Sequence, residues 1–383
     1  MKGFKKVLPI ILFLILLIAV SIGTAYTAVA VADLPVKLPF REAVVLDGSI
    51  PGQTKAIMNQ WKNLVVYEPT EKHETIEDLF ESGDLEGLPE IDAKELLNMF
   101  PVVDSASLEK FLTDNPDYLK NGYEKLFIDK VDLLNTPTGI KSIHGDDVLA
   151  IDAINGIVII GKDIVSDTGT SKVKLALVNN KSQLDMSLVK DLGIWEILED
   201  HAKKTDAVLA INASNYSWND VGKYAVLYGA TKYHGETIRK SVETSDLVGF
   251  DKDGNFSIGA PIENVYNAVE GSPILLKSGE AVYQKGEGET RSAMTAIGQT
   301  KDGVTMMLIG SGGTYGSNLG ITHSEIADIL KTYGADNAVA LSGGSRTIMF
   351  WNGRIVSENV GYYEYGVRLP NAFIVKQFNP NNT

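Results

Sequence analysis

Short apolar runs alternate with glycine turns over most of the chain beyond His144. The runs are Val148–Gly161, Lys172–Val178, Ala207–Asn212, Leu247–Ile258, Ile274–Val282, Thr295–Gly310, Ala338–Leu341, Thr347–Val356 and Asn371–Val375. Asp253-Gly254, Asp302-Gly303 and Asn352-Gly353 interrupt them with residues that tolerate positive φ, which predicts hairpins. Two stretches have helical spacing instead. One covers roughly Leu188–Lys204; the other opens with Thr322 and Glu325 as a capping box. The second then sets Ile326, Ile329, Leu330 and Tyr333 on one face before Gly334 ends it. No repeated βαβ unit is visible. The pattern predicts an α+β fold: a mixed, largely antiparallel sheet with a few packed helices.

The N-terminal pattern is different. Lys2, Lys5 and Lys6 precede an uncharged stretch from Val7 to Ala32. At ~1.5 Å per residue that stretch exceeds the roughly 30 Å hydrocarbon core, so residues 1–32 read as a membrane anchor. The lysines before it and Asp33 after it place the N-terminus in the cytoplasm and the body outside the cell membrane. Ala28-Val29-Ala30 and Ala30-Val31-Ala32 resemble signal cleavage sites, so secretion after cleavage is the alternative. Residues 33–144 read as a tether and helical spacer. Pro35, Pro39, Pro51 and Pro69 open it, and Glu68–Glu95 carries eleven acidic residues against two lysines. Helical signals inside it are Ile76, Leu79 and Phe80 before Gly83, then Asp92 and Glu95 ahead of Leu96, Leu97 and Phe100. Asp104 reads as the cap of a further helix through Phe111. The main domain spans 145–377, and 378–383 form a tail.

Charge and composition narrow the function. Acidic residues outnumber basic ones by 49 to 35, a net charge of −14, which argues against a nucleic-acid partner. The absence of cysteine excludes thiolate chemistry and disulfides, and five scattered histidines give no metal spacing. Neither metal nor cofactor is expected. The Gly310–Gly316 stretch has the wrong spacing for a dinucleotide loop. Ser187-Leu-Val-Lys190, Ser217-Trp-Asn219 and Lys277-Ser-Gly279 imitate the motifs of penicillin-binding serine peptidases, although the last also reads as a hairpin turn.

Four segments after Ala207 carry the informative chemistry: Ala210–Tyr216, Glu270–Lys277, Arg291–Gln299 and Ala340–Met349. They contain amides, a carboxylate, arginines and a broken Gly-Gly turn. Gly343-Gly344 can expose backbone N–H groups, and Arg291 or Arg346 can clamp an anion bidentately. The bland alternative is that the glycines only turn the chain and the arginines pair with surface acids.

Together these segments resemble the phosphodiester glycosidase family, most nearly its bacterial branch associated with exopolysaccharide biosynthesis. Ile211-Asn212-Ala213-Ser214-Asn215-Tyr216 is similar to that branch's Ile-Asn-Ala-Ser-Gly-Phe/Tyr segment. Gly271–Leu275, Arg291–Gln299, Gly334–Arg346 and Arg368–Val375 resemble its other segments, in the same order, over about residues 145–377. Three positions depart from it. Ser342 stands where the family has Asp, Met294 where it has a second Arg, and Gly310–Thr314 where it has Asp-Gly-Arg.

The resemblance implies hydrolysis of a sugar-1-phosphodiester, which requires an anion site and usually a carboxylate base or nucleophile. Glu270 is the candidate carboxylate and Arg291 a catalytic anion clamp. Asn212 and Asn215 are expected to hold the sugar, and Ser342, Gly343, Gly344, Ser345, Arg346 and Thr347 the phosphate. The expected partner is a sugar phosphodiester or anionic cell-surface glycan, with the membrane contacted through the N-terminal helix. The missing acid and arginine favour a second reading, a glycan-binding or assembly protein that does not cleave. A serine peptidase is the third.

Overall fold

Asn352 and Gly353 adopt φ of 40° and 85°, and Gly254 and Gly303 adopt 76° and 100°, so the expected hairpin turns form. The structure is a computed structural model that describes residues 97–115, 127–129, 137–167, 169–189, 196–219, 224–240, 247–259, 265–283, 289–311, 320–357 and 368–378. The Val7–Ala32 run, the proline tether and the acidic stretch to Glu95 lie outside the described residues. Among those described, no helix is long and apolar enough to cross a membrane.

Helix α1 (Ser105–Asp114) leads to β1 (Phe127–Asp129) and then to β2 (Asp147–Asp152), β3 (Ile157–Ser166) and β4 (Gly169–Val178). Next come β5 (Leu184–Leu188), the short α2 (Leu198–Lys203), β6 (Ala207–Asn212), β7 (Tyr216–Asn219) and β8 (Tyr224–Leu227). A group of short strands follows: β9 (Thr231–Tyr233), β10 (Glu236–Arg239), β11 (Leu247–Phe250), β12 (Phe256–Ile258) and β13 (Asn267–Glu270). Then come β14 (Ile274–Lys277), β15 (Glu280–Ala281), β16 (Met294–Thr300) and β17 (Thr305–Gly310). The chain continues through α3 (His323–Thr332), β18 (Ala335–Ala340), β19 (Met349–Trp351), β20 (Arg354–Ile355) and β21 (Asn371–Lys376).

A nine-stranded sheet runs β1-β2-β3-β4-β17-β16-β18-β14-β15, and a five-stranded sheet runs β20-β19-β6-β21-β5. They stack through one apolar layer, with Ile159, Ile297, Met307 and Val339 facing Leu209, Ile211, Trp351 and Phe373. The other face of the large sheet carries α1 and α3 through Leu108, Phe111, Ile326 and Leu330. The other face of the small sheet carries α2, where Leu198 and Ala202 meet Ala210, Ala372 and Ile374. Strands buried on both faces read as unbroken apolar runs, which is why Ala207–Asn212 was legible without alternation. A second five-stranded sheet, β10-β9-β13-β11-β12, adds Val248, Phe250 and Val269 to the inter-sheet layer.

Two expectations need correction. Every ladder among the described strands is antiparallel, where a mixed sheet was expected. Of the expected Leu188–Lys204 helix the described residues show Leu198–Lys203, while Leu188 ends β5 and pairs with Asn371 of β21. Residues on the N-terminal side of 144 contribute to the core of the large sheet. Phe100, Val103, Leu108 and Ile140 are at most 3% exposed and share the core of the large sheet. All described residues lie within one compact unit, Glu74–Thr383. The caps are as read: Asp104 accepts from Ser107 N at 2.8 Å, and Thr322 and Glu325 close a reciprocal capping box.

Ser187 and His201 show how the small sheet holds α2. Both are 0% exposed. Ser187 Oγ donates to His201 Nδ1 at 2.8 Å, and His201 Nε2 donates to the Leu369 carbonyl at 3.0 Å. Burial drops the His201 pKa to about 4, outweighing the Leu369 contact. The unfolded chain takes up this proton below about pH 6.5 and the folded chain resists it. Stability is therefore complete above pH 6.5 and is lost as pH falls towards 4, by about 3 kcal/mol in all. Urea midpoints across that window should fall more steeply for the wild type than for His201→Asn. Equal slopes would mean the loss arises elsewhere.

That pair also removes the serine peptidase reading. Ser187 is sealed in β5, and Ser278-Gly279 forms the β14–β15 turn with φ of 53° and 76°. Ser187 and Lys277 belong to different sheets, while Lys190 lies outside the described residues.

Candidate functional site

Strand register brings the informative segments to one end of the two stacked sheets. Ala340 of β18 pairs with Ala296 of β16, and Asn212 of β6 pairs with Ala372 of β21. The ends of β6 and β18 thus meet the starts of β16 and β21. Ser342 N reaches Ala213 O at 3.4 Å and joins the two sheets there.

Asn212 is the knot of this junction. It is 0% exposed. Its Nδ2 donates to Ser342 O at 2.6 Å, while its Oδ1 accepts from Thr295 Oγ1 at 2.8 Å and Ile348 N at 3.2 Å. The amide expected to hold a sugar is spent inside the protein. Ser214 and Asn371 form a second buried tie. Ser214 N donates to Asn371 Oδ1 at 2.9 Å, and Asn371 Nδ2 donates to Ser214 Oγ at 2.8 Å. Thr295 and Asn371 lie within quoted segments, but as strand residues they gave no sign of these roles.

Above this floor the chain turns through Leu341–Thr347. Gly344 donates to Ala293 O at 2.7 Å with φ of 68°, and a Cβ on Gly343 would come within 2.9 Å of the same oxygen. Only glycine permits that approach. The Gly344 amide is therefore not available to a phosphate, whereas those of Gly343 and Ser345 have no partner among the described residues. The hydroxyls of Ser342 (1% exposed) and Thr347 (3% exposed) are buried without a hydrogen-bond partner. Such an orphan costs about 1–3 kcal/mol, so two in one turn mark a place where a ligand or solvent completes the bonding.

Arg346 lies half-buried at the end of this turn. Its guanidinium sits 4.5 Å from the Tyr216 ring centroid and donates to Tyr216 O at 3.0 Å. Among the described residues no carboxylate pairs with it. It is a charged fork held by an aromatic face, with donors to spare. Tyr216 is itself fixed by its hydroxyl, which donates to Arg368 O at 2.8 Å. Asn215 is half-buried, and its side chain makes no hydrogen bond with the described residues; its backbone oxygen accepts from Tyr228 N at 2.9 Å.

Arg291 departs from the expectation. Both its terminal nitrogens are taken by Glu325, one at 3.0 Å, and the first also donates to Gly320 O at 3.1 Å. Because Glu325 also accepts from Thr322 N at 2.9 Å, Arg291 steadies the capping box of α3 through that carboxylate. Arg291→Lys should lower stability by about 1–2 kcal/mol, since bidentate geometry is lost. Substrate affinity should hold. A lost affinity at unchanged stability would return Arg291 to the phosphate.

Glu270 ends β13 beneath a tight turn. Its Oε2 accepts from Ala230 N at 3.3 Å, and a Cβ on Gly229 would lie 1.9 Å from that same oxygen. A Cβ on the next residue, Gly271, would come within 3.1 Å of Ala340 O, so the backbone just after Glu270 borders the strand that feeds Leu341–Thr347. The half-buried side chain forms no ion pair with the described residues. The described residues contain no group of three or more His, Asp or Glu able to hold a metal ion.

Residues 205–376 match the family model described as phosphodiester glycosidase. No curated protein matches the chain. Among solved structures it is similar to the catalytic domain of zebrafish N-acetylglucosamine-1-phosphodiester alpha-N-acetylglucosaminidase, auto-inhibited by its pro-peptide. The two are 19% identical over 58% of this chain and 83% of that one, with a TM-score of 0.49. It is also similar to a hypothetical protein from Synechocystis, 14% identical over 57% of this chain and 61% of that one, with a TM-score of 0.46.

Proposed function

We propose, with the match of residues 205–376 to the phosphodiester glycosidase model as premise, that this chain hydrolyses a sugar-1-phosphodiester. Water would replace the phosphate at the anomeric carbon, releasing the sugar and a phosphate monoester. The observation that carries the reading is Arg346, a guanidinium with no carboxylate partner among the described residues, beside the hydroxyls of Ser342 and Thr347, which are unpartnered among them too. A phosphodiester monoanion approaching a protein of net charge −14 needs fixed donors, and this turn provides them. Arg346, the amides of Gly343 and Ser345, and those hydroxyls would hold the phosphate. Asn215 would hold the sugar and Glu270 would act as base or nucleophile.

A second reading rests on Ser342. A hydroxyl cannot replace the family's Asp as a base, so the site would then hold a glycan phosphodiester without cutting it. The uncharged Val7–Ala32 run supports export, with the domain tethered outside the cell membrane and acting on an anionic exopolysaccharide or cell-wall glycan. N-terminal sequencing of protein recovered from the medium would overturn the tether if the chain began after Ala30 or Ala32.

The deciding experiment incubates the full chain with methyl esters of glucose-, mannose- and N-acetylglucosamine-1-phosphate in both anomers. Turnover of at least one is expected. Glu270→Gln should then reduce turnover by about 100-fold or more while binding persists, because the amide keeps the shape and loses the basicity. Normal turnover by that variant would leave Glu270 a structural acid. Binding without turnover in the wild type would favour the second reading.

A further inference from the structure

We propose that Tyr228 is the stacking platform for the sugar ring, which rests on the hydrolase or glycan-binding reading of the same site. Four large apolar side chains stand out as exposed among the described residues: Ile143, Val165, Tyr228 and Val282. Tyr228 is the aromatic one, at 53% exposed, and its neighbours place it at the site.

Its own amide donates to Asn215 O at 2.9 Å, tying it beside the unpartnered Asn215 side chain. The next residue, Gly229, takes φ of 72° against the Glu270 carboxylate, where no Cβ fits. The residue after that is doubly tied: Glu270 N donates to Ala230 O at 3.0 Å, and Ala230 N donates to Glu270 Oε2. Tyr228 therefore lies between the free amide and the candidate carboxylate, on a backbone fixed at both sides. A turn so constrained to leave a large ring facing solvent has a use for that ring.

The chemistry of the ligand supplies one. A pyranose presents a face of C–H bonds, which packs on an aromatic ring, while its hydroxyls need amides and carboxylates at the edges. Tyr228 would supply the face and Asn215 the edge, while Arg346 holds the phosphate across Tyr216. The residue would position the sugar without touching the reacting bond. It would select pyranosyl phosphodiesters over simple alkyl phosphodiesters of the same charge.

The test uses the full chain, the sugar-1-phosphate methyl esters above, and dimethyl phosphate and inorganic phosphate as sugar-free probes. Tyr228→Ala should raise KM for the best sugar ester, or Kd if it is bound uncut, by about tenfold with kcat changed far less. Tyr228→Trp and Tyr228→Phe should restore most of that affinity, and Tyr228→Leu should not. Competition by dimethyl phosphate and inorganic phosphate should be the same in every variant. Unchanged KM or Kd in Tyr228→Ala, or equal rescue by Leu, would overturn the platform alone. A wild type that neither turns over nor binds any of the sugar esters would overturn the reading beneath it.

Discussion

Arg346→Ala is expected to lower kcat/KM for a sugar phosphodiester by about 100-fold to 1,000-fold, with little change in melting temperature. The protein repels anions as a whole, with 49 acidic residues against 35 basic, so affinity for a phosphodiester has to be local. Arg346 is the local source. Its partners are a carbonyl at 3.0 Å and a ring at 4.5 Å, neither of which neutralises its charge. Lysine at this position keeps the charge but loses the fork and stacks poorly, so Arg346→Lys should recover only part of the rate. Steady-state kinetics on the sugar-1-phosphate esters, beside thermal melts of each variant, separate chemistry from folding. An Ala variant with wild-type kcat/KM would remove Arg346 from the site.

Asn212→Ala should be the most damaging change at the junction, and through stability. The substitution strands the Thr295 hydroxyl, the Ile348 amide and the Ser342 carbonyl, all on buried residues. At about 1–3 kcal/mol for each orphaned group, the total loss is around 4 kcal/mol. Asn212→Asp should do little better: it keeps the acceptor for Thr295 and Ile348 but sets a carboxylate against the Ser342 carbonyl. Chemical denaturation gives the answer directly. Near-native stability with lost sugar affinity would mean that Asn212 faces the ligand after all. Asn215→Ala offers the contrast, since its side chain holds nothing in the described protein and should cost affinity only.

The strands were legible where the chain is locally self-consistent. The β16–β17 hairpin turns at Asp302-Gly303, and α3 announces itself through Thr322 and Glu325. Where two local patterns competed, tertiary pairing decided. Leu188 was expected to open a helix, but it ends β5, which pairs with β21 over five registered pairs. The acidic composition before residue 96 masked the apolar anchors that follow it, Phe100 and Leu108 among them. The segments that meet at the sheet junction were visible, but not the bonds inside it. Asn212 and Asn215 are the same residue type three positions apart, yet one is sealed and the other open. The bonds that seal Asn212 span 83, 130 and 136 residues. The Arg291–Glu325 pair was hidden similarly, because Glu325 already had a visible purpose as a helix cap. Tyr228 carried no motif at all.

The position of β21 has a consequence for synthesis. Although it is the last of the described strands, it lies inside the five-stranded sheet, between β5 and β6. Until residues 371–376 have left the ribosome, β5 and β6 each present an unsatisfied edge made of buried residues. The Asn371 tie to Ser214 cannot form either. The five-stranded sheet therefore cannot close until its last strand has been made.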